Sequence, residues 1–294
     1  MNGINKLGLG TVQWGLPYGL DNQHGTTTPE TVTTLLNEAR HYGIEVLDTA
    51  SVYGKSEAVL GTNSLEGFKV VTKTPRFTTP HISDMEVNQF CETFQQSLDL
   101  LKRKKTYALL IHHADNLLVP GGDKLLAAMM QLKEKGIVEK IGVSVYDSIQ
   151  VDAVMKKFKP DLIQLPLSVM DQRMLTSGHL ELLKNEGVEI HVRSVFLQGL
   201  LLMPLSNIPV FFEPVRPLLT RWHAAAQAQG LTVNQAAVAF VKNIPYVDTV
   251  LVGLDNLEQF RSCVNDFTID INFDATGLAC NDPVFVNPSL WQLK

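Results

Sequence analysis

The feature that most constrains the fold is an alternation of short apolar runs with longer helical patterns along all 294 residues. The apolar runs are continuous, which is typical of parallel strands that helices cover on both faces. Eight runs have this character: Lys6–Thr11, Ile44–Asp48, Phe68–Lys73, Tyr107–His112, Lys140–Ser144, Asp161–Gln164, Val188–Ser194 and Val247–Gly253. The alternation predicts an α/β fold.

The helical patterns between these runs have recognisable ends. Thr28 and Pro29 suit the N-cap and first helical position of the first helix, and Gly43 suits its end. The others cover Asp84–Arg103, Asp123–Lys135, Ser148–Phe158, Gly178–Glu186, Pro214–Gln229, Thr232–Asn243 and Asn256–Asn265. Eight strand–helix units predict a single (β/α)8 TIM barrel, with one domain over residues 1–294. A doubly wound sheet is the alternative, but no G-x-G-x-x-G follows the first run.

The composition of the chain argues against several classes of partner and of site. A net charge of −5 and a pI near 5.9 argue against a nucleic-acid or anionic-membrane partner. No apolar run approaches the roughly 20 residues of a membrane helix, and the N-terminus lacks a signal-peptide pattern. Three scattered cysteines predict neither a disulfide framework nor a metal site. We therefore expect a cytoplasmic protein that acts on a small molecule, with no signal for its oligomeric state.

Polar residues end most of the apolar runs. They are Asp48, Lys73, His112, Ser144, Gln164 and Ser194. In a TIM barrel the chemistry lies at the carboxyl ends of the strands, so these side chains should surround one mouth. Tyr53 follows the second run by five residues. Each residue alone has a structural explanation as a helix cap, a solvated strand end or a core histidine. Together they favour one pocket for proton transfer.

A series of short motifs runs through nearly the whole chain. They are G-L-G-T at Gly8–Thr11, D-T-A-S-V-Y-G at Asp48–Gly54, G-K-S-E-A-V-L-G at Gly54–Gly61, V-V-T-K at Val70–Lys73, L-L-I-H at Leu109–His112, I-G-V-S at Ile141–Ser144, Q-G-L-L at Gln198–Leu201 and V-G-L-D-N-L-E-Q-F at Val252–Phe260. In this order they resemble the aldo-keto reductase family. The resemblance implies NAD(P)H-dependent reduction of an aldehyde, ketone or sugar-type carbonyl to an alcohol.

The resemblance assigns a catalytic tetrad of Asp48, Tyr53, Lys73 and His112. Tyr53 would protonate the carbonyl oxygen, and Lys73 beside it would lower the pKa of the phenol. Asp48 would keep Lys73 charged and oriented, and His112 would hydrogen-bond the carbonyl oxygen. We take His112 rather than His113 because the family pattern has its histidine there and adjacent strand residues point to opposite sides.

The resemblance also implies a nicotinamide dinucleotide bound without a Rossmann motif. The cofactor-binding positions would be Thr11, Asp48, Ser144, Gln164, Arg193, Ser194, Leu197, Gly199, Gly253, Asp255 and Gln259. Thr11 and Asp48 would lie near the nicotinamide ribose. Ser144 and Gln164 would hydrogen-bond the carboxamide. Ser194 and the turn after it would approach the pyrophosphate, and the segment Gly253–Gln259 would hold the adenosine.

Three positions depart from the family pattern. Val145 replaces an asparagine, and Arg193 replaces the aromatic residue that commonly stacks on the nicotinamide. A guanidinium can also stack, but its positive charge would disfavour the cationic NAD⁺ more than the neutral NADH. This departure indicates either weak cofactor binding or an arginine that turns toward an anionic substrate. Asp255 lies near the expected position of the adenosine ribose. Its carboxylate would repel the 2′-phosphate of NADP(H), whereas it would accept a hydrogen bond from the 2′-hydroxyl of NAD(H). We hypothesise that NAD(H) is at least tolerated, although Arg261 could compensate for the carboxylate.

Loop aromatics and the tail leave alternatives open. Trp14, Tyr18 and the tail Asn281–Trp291 can cover the pocket, or the tail can anchor the C-terminus on the barrel. Two further functions fit the same fold. One is a cofactor-sensing regulatory subunit, and the other is a non-redox barrel isomerase or lyase.

Overall fold

The computed structural model describes residues 3–20, 22 and 25–293. Eight parallel strands form a closed barrel in chain order, and the last strand pairs with the first. They are β1 (Leu7–Gly10), β2 (Val46–Asp48), β3 (Lys69–Lys73), β4 (Thr106–Ile111), β5 (Val138–Ser144), β6 (Leu162–Pro166), β7 (Glu189–Arg193) and β8 (Thr249–Gly253). The predicted TIM barrel is confirmed, and every predicted strand is present with its ends shifted by two residues at most.

Helices connect the strands as predicted. The helices are α1 (Pro29–His41), α2 (Ser56–Gly61), α3 (Asp84–Leu100), α4 (Asp115–Leu118), α5 (Gly122–Glu134), α6 (Ser148–Lys157), α7 (Arg173–Thr176), α8 (His179–Asn185), α9 (Arg216–Ala228), α10 (Val233–Lys242), α11 (Leu257–Thr268) and α12 (Pro283–Val286). Short 3-10 turns cover Gly3–Lys6, Val12–Trp14, Leu197–Leu202, Leu205–Asn207, Val210–Val215 and Pro288–Leu290. The sequence analysis did not predict α2, because six residues are too few to display a helical period.

Capping side chains set where the helices begin. Thr28 accepts a hydrogen bond from the Thr31 amide at 3.3 Å, as the Thr-Pro start of α1 predicts. Ser83 and Glu86 form a reciprocal capping box at α3. These caps supply partners for amides that the first helical turn leaves unpaired.

Apolar side chains fill the interior of the barrel. Val46, Val71, Ala108, Leu110, Leu162 and Leu251 form this layer. At the amino ends of the strands, below the layer, the Glu189 carboxylate accepts from Tyr107 at 2.7 Å and pairs with Lys140 and His191. The barrel is thus a packed core, as is usual for this fold.

The C-terminal segment packs on the loop after β7. Val286 is buried, and the Trp291 ring meets Phe212 edge to face with 4.9 Å between the ring centres. Pro288 and Ser289 of the same segment line the main cavity. The tail therefore anchors on the barrel and also borders the pocket.

Trp14 does not cover the pocket, and this expectation is wrong. Its ring is only 2% exposed within the main core, and its indole N–H donates to the Leu254 carbonyl at 3.0 Å. The large apolar ring is buried beside the barrel because one backbone carbonyl satisfies its single donor. Within the described ranges, no helix combines the length and the apolar character needed to cross a bilayer.

Candidate active site

A cavity of about 910 Å³ lies at the carboxyl ends of the strands. The strand register explains why their ends meet there, because Gly10 is level with both Asp48 and Gly253, and Ser144 is level with Gln164. Six of the eight strands supply a lining residue at or just after their ends. β6 supplies Gln164, two residues before its end, and β3 supplies Lys73 below the cavity surface. The size suits a drug-sized or cofactor-sized ligand.

Asp48, Lys73 and Tyr53 meet at the base of this cavity. The Lys73 ammonium donates to Asp48 Oδ2 at 2.7 Å and to the Thr49 carbonyl at 2.8 Å. It lies 3.5 Å from the Tyr53 hydroxyl oxygen. The lysine side chain is fully buried, and the aspartate side chain is only 7% exposed. Burial strengthens this ion pair and also makes either charge costly if its partner is lost.

Gln164 completes the environment of the Asp48 carboxylate. Its side-chain amide donates to Asp48 Oδ1 at 2.7 Å, so each carboxylate oxygen accepts from a different buried donor. The three residues belong to β2, β3 and β6. The carboxylate therefore links β6 to the neighbouring strands β2 and β3 and fixes the position of the ammonium.

His112 lines the cavity beside the tyrosine, whereas His113 is absent from the lining. The Tyr53 and His112 rings meet edge to face with 5.8 Å between their centres. Burial, the nearby Lys73 charge and neighbouring cations lower the pKa of His112 to about 2. The imidazole is therefore neutral near pH 7, and its buried Nδ1 has no hydrogen-bond partner among the described residues.

The phenol of Tyr53 is also neutral, and here the structure corrects the sequence expectation. Burial raises the pKa of Tyr53 above that of a free phenol, and the Asp48 carboxylate raises it further. The Arg193 charge opposes this shift only partly. The expected lowering of this pKa is wrong for this structure, because burial, the largest influence, acts in the opposite direction.

A network of buried hydroxyls holds the backbone at Asp48 and at Thr11. Thr11 Oγ1 donates to the Asp48 carbonyl at 3.0 Å and lies 2.7 Å from Ser56 Oγ. Ser56 in turn donates to the Thr11 carbonyl at 2.9 Å. The next residue, Glu57, accepts from Thr72 at 2.6 Å. The sequence analysis gave Ser56 and Glu57 no individual role, although the G-K-S-E motif marked their place.

Ten of the eleven positions expected for the cofactor lie along the cavity. They are Thr11, Asp48, Ser144, Gln164, Arg193, Ser194, Gly199, Gly253, Asp255 and Gln259. Leu197 is the exception, and its assignment to cofactor binding stays a prediction. Its side chain is fully buried in the apolar cluster that contains Phe212 and Trp222. Ser194, Leu197 and Gln198 have φ of 64°, 45° and 54°, so the turn follows a left-handed path.

The far end of the cavity lies at the start of α11. Asn256 accepts from the Gln259 amide at 2.9 Å, and Gln259 Oε1 accepts from the Asp255 amide at 2.8 Å. A side chain at Gly253 would place its Cβ 2.4 Å from the Gln13 amide oxygen. That oxygen is buried and has no partner within the described part of the chain. An unpartnered acceptor, a glycine and polar strand ends together fit the elongated polar shape of a dinucleotide.

Arg193 and Tyr146 form the wall above β5 and β7. The guanidinium carbon lies 4.4 Å from the centre of the Tyr146 ring. Arg193 also donates to the Val145 carbonyl at 3.2 Å. Gln13 and Tyr146 also line the cavity, although the sequence did not predict it. For Tyr146 a signal existed, since it lies two residues beyond the polar end of β5.

Comparison with known proteins identifies the family. The model of the aldo/keto reductase family matches residues 6–276. The chain belongs to this family. The resemblance inferred from the motifs is therefore confirmed, and the chain is an NAD(P)-dependent oxidoreductase of the kind that acts on small-molecule carbonyls.

Several similar proteins are named as oxidoreductases or reductases. The chain is 23% identical over 278 residues to the uncharacterized oxidoreductase YqkF of Bacillus subtilis (strain 168), covering 88% of this chain and 85% of that protein. It is 24% identical over 307 residues to the NADH-specific methylglyoxal reductase of Escherichia coli (strain K12), covering 93% of each. The holo form of an aldo-keto reductase from Bacillus halodurans matches with a TM-score of 0.73 at 19% identity, covering 93% of this reductase and 89% of that chain. The oxidoreductase prediction is therefore favoured over an isomerase or lyase.

Proposed function

We propose that this reductase converts an aldehyde, ketone or sugar-type carbonyl to an alcohol, with Tyr53 as the general acid. The observation that carries the proposal is the meeting of Asp48, Tyr53, Lys73 and His112 at the base of one cavity. A nicotinamide bound there would supply the hydride. Ser144 and Gln164 would hold its carboxamide, and the start of α11 would hold the adenosine end.

Each member of the tetrad has a distinct role in proton transfer. Negative charge grows on the carbonyl oxygen as the carbon is reduced, and the Tyr53 hydroxyl gives up its proton to that oxygen. The buried Lys73 ammonium stabilises the phenolate that forms. Asp48 keeps the ammonium in place, and the neutral His112 donates a hydrogen bond that orients the carbonyl.

The raised pKa of Tyr53 is compatible with this role. A phenol with a raised pKa stays protonated near pH 7, so the acid is present before the reaction begins. The alkoxide formed from the carbonyl is a stronger base than a phenolate, so the proton still moves in the required direction. Lys73 then acts on the phenolate as the proton leaves.

Replacement of the phenol tests the proposal. Tyr53→Phe removes one oxygen and should lower kcat/KM by about 10²–10⁴ while the dissociation constant of the cofactor stays close to wild type. Absorbance loss of NADH and NADPH against a panel of aldehydes, ketoses and nucleotide-sugars measures the rate. Tyr42→Phe is the matched control, because Tyr42 is 39% exposed at the end of α1. Near-wild-type turnover of Tyr53→Phe would contradict the role of Tyr53.

We also propose that the enzyme uses NAD(H). Among the lining residues that the structure describes, Arg193 is the sole arginine or lysine, and Asp255 and Glu258 lie at the α11 end. Carboxylates there would repel a 2′-phosphate. Arg261 does not compensate, because its side chain is 63% exposed, lies 3.9 Å from Glu38 and is absent from the lining. The NADH-specific relative supports the same preference.

Fluorescence titration tests the cofactor preference. We expect NADH to bind at least as tightly as NADPH. The double variant Asp255→Asn/Glu258→Gln should shift the ratio of the two dissociation constants toward NADPH, because it removes both carboxylates from the α11 end. A strong preference of the wild-type enzyme for NADPH would contradict the proposal.

Two broader proposals accompany this function. We propose that residues 1–294 form one domain, because the C-terminal segment shares its apolar contacts with the loop after β7. We also propose a cytoplasmic location, because Cys91, Cys263 and Cys280 are all free thiols, as is usual in a reducing compartment.

A further inference from the structure

Arg193 is held in a fixed position at the cavity wall. It is the last residue of β7, and its guanidinium lies over the Tyr146 ring at 4.4 Å. It donates to the Val145 carbonyl at 3.2 Å and to Ser194 Oγ at 3.4 Å. These two bonds leave most of the five N–H donors of a guanidinium for another partner.

The positive charge of Arg193 has no carboxylate partner among the residues that the structure describes. Among the described residues, the arginines in ion pairs are Arg173, Arg216 and Arg261. Arg193 instead lines the cavity. In the described part of the lining, no other residue is an arginine or a lysine. A guanidinium in a partly buried site that lacks a counterion favours a ligand that brings one.

Arg193 lies at the reacting end of the cavity. It donates to the Val145 carbonyl, and the backbone N–H of Val145 donates to the Gln164 carbonyl at 2.9 Å. The Gln164 side chain in turn donates to Asp48 at the base of the cavity. After burial and Lys73, the Arg193 charge also contributes to the lowered pKa of His112. The geometry and the electrostatics therefore agree on the location.

We propose that Arg193 determines substrate specificity by binding an anionic oxygen group, a carboxylate or a phosphate, that the substrate carries close to its carbonyl carbon. The inference rests on the proposed function, since it needs the carbonyl oxygen to lie at Tyr53 and His112. Tyr146 and the Val145 carbonyl hold the guanidinium in place, so its planar edge is ready to form two parallel hydrogen bonds to such a group.

Paired substrates test the proposal. Butanal and succinate semialdehyde are four-carbon aldehydes that differ in a terminal carboxylate, and glyceraldehyde and its 3-phosphate differ in a phosphate. The measured quantity is the ratio of kcat/KM for the anionic member to that for the neutral member. At least one pair should give a ratio well above one in the wild type, and Arg193→Gln should lower that ratio by about 10- to 100-fold.

Two further variants make the result specific. Arg193→Lys keeps the charge but loses the planar fork, so its ratio should lie between wild type and Arg193→Gln. Arg221→Gln makes the same substitution at an exposed position of α9 and should leave the ratio unchanged. Circular dichroism confirms that each variant is folded.

The outcomes separate this inference from the proposed function. If Arg193→Gln lowers both members of each pair equally, or if the wild-type ratios do not exceed one, the inference is overturned while carbonyl reduction stands. If the wild type reduces no aldehyde, the proposed function fails. Calorimetric binding of succinate against succinamide then tests Arg193 without turnover. Preferential succinate binding that Arg193→Gln abolishes supports the anion site, and equal binding of the two ligands overturns it.

Discussion

Loss of the Asp48 charge should destabilise the fold as well as stop catalysis. Lys73 and Gln164 each donate to one oxygen of this carboxylate, at 2.7 Å in both cases. In Asp48→Asn the new amide has one acceptor and one donor. One of the two buried donors therefore loses its partner and meets an N–H group instead. The same substitution leaves the buried Lys73 ammonium without a counterion.

The magnitude follows from the burial of the pair. Breaking one side of a buried ion pair costs about 3–5 kcal/mol, and the fully buried Lys73 side chain belongs in that range. Burial already lowers the pKa of Lys73, so the lysine can release its proton in the variant, which limits the loss. At about 2–4 °C per kcal/mol, the fall in Tm should be roughly 6–20 °C.

A double-mutant cycle measures the coupling by denaturant unfolding. Asp48→Asn/Lys73→Met removes both charges, so it should be more stable than Asp48→Asn alone by at least about 1 kcal/mol. Carbonyl reduction should stay lost in the double variant, because the ammonium is still missing. Asp84→Asn is the control, since its pair with Lys124 is exposed and should change stability by less than about 1 kcal/mol.

Independent, additive effects would refute this reasoning. In that case the double variant would be less stable than either single variant, and the buried pair would not be the source of the loss. Recovery of activity in the double variant would contradict the role of Lys73 as the group that stabilises the phenolate.

Two further predictions concern pH. Because the pKa of His112 is held near 2, the profile of kcat/KM should show no histidine inflection between about pH 5 and 8, and an inflection near pH 6.5 that His112→Asn removes would contradict this. Burial alone would raise the pKa of Glu189, but hydrogen bonds from His191, Lys140 and Tyr107 outweigh it and lower the pKa to about 2. Its stabilising effect is present above the ordinary pKa near 4.5 and is lost as the pH falls toward 2. In denaturant unfolding, Glu189→Gln should therefore have a lower free energy of unfolding than wild type at pH 7. The gap between the two proteins should narrow at pH 3, and an equal gap at both pH values would contradict a stabilising role of the Glu189 charge.

The barrel and the order of its strands could be predicted because parallel, fully covered strands have unbroken apolar runs. The same reasoning located Asp48, Lys73 and His112, since each ends or directly follows a strand and the closed sheet places strand ends together. Helix α2 could not be predicted, because its six residues show no period.

Sequence patterns could not predict the direction of individual side chains or the pKa of the tyrosine in the site. Trp14 and Tyr18 belong to the same loop after β1, yet one is buried in the core and the other lines the cavity. The Leu197 side chain lies in an apolar cluster, and the backbone around it has positive φ angles. The residue types there do not predict such a backbone path. The raised pKa of Tyr53 depends mainly on how deeply the phenol is buried, which the residue types alone do not give.

The apolar layer inside the barrel has a consequence for the passage of ligands. Because Val71, Leu110, Leu162 and their neighbours fill the space below the tetrad, a molecule that reaches Tyr53 enters and leaves at the carboxyl ends of the strands. The pocket is closed at its base. Limits on substrate size are therefore set by the loops at its entrance, where Tyr18 accepts a hydrogen bond from Gln198 at 3.0 Å, rather than by the diameter of the barrel.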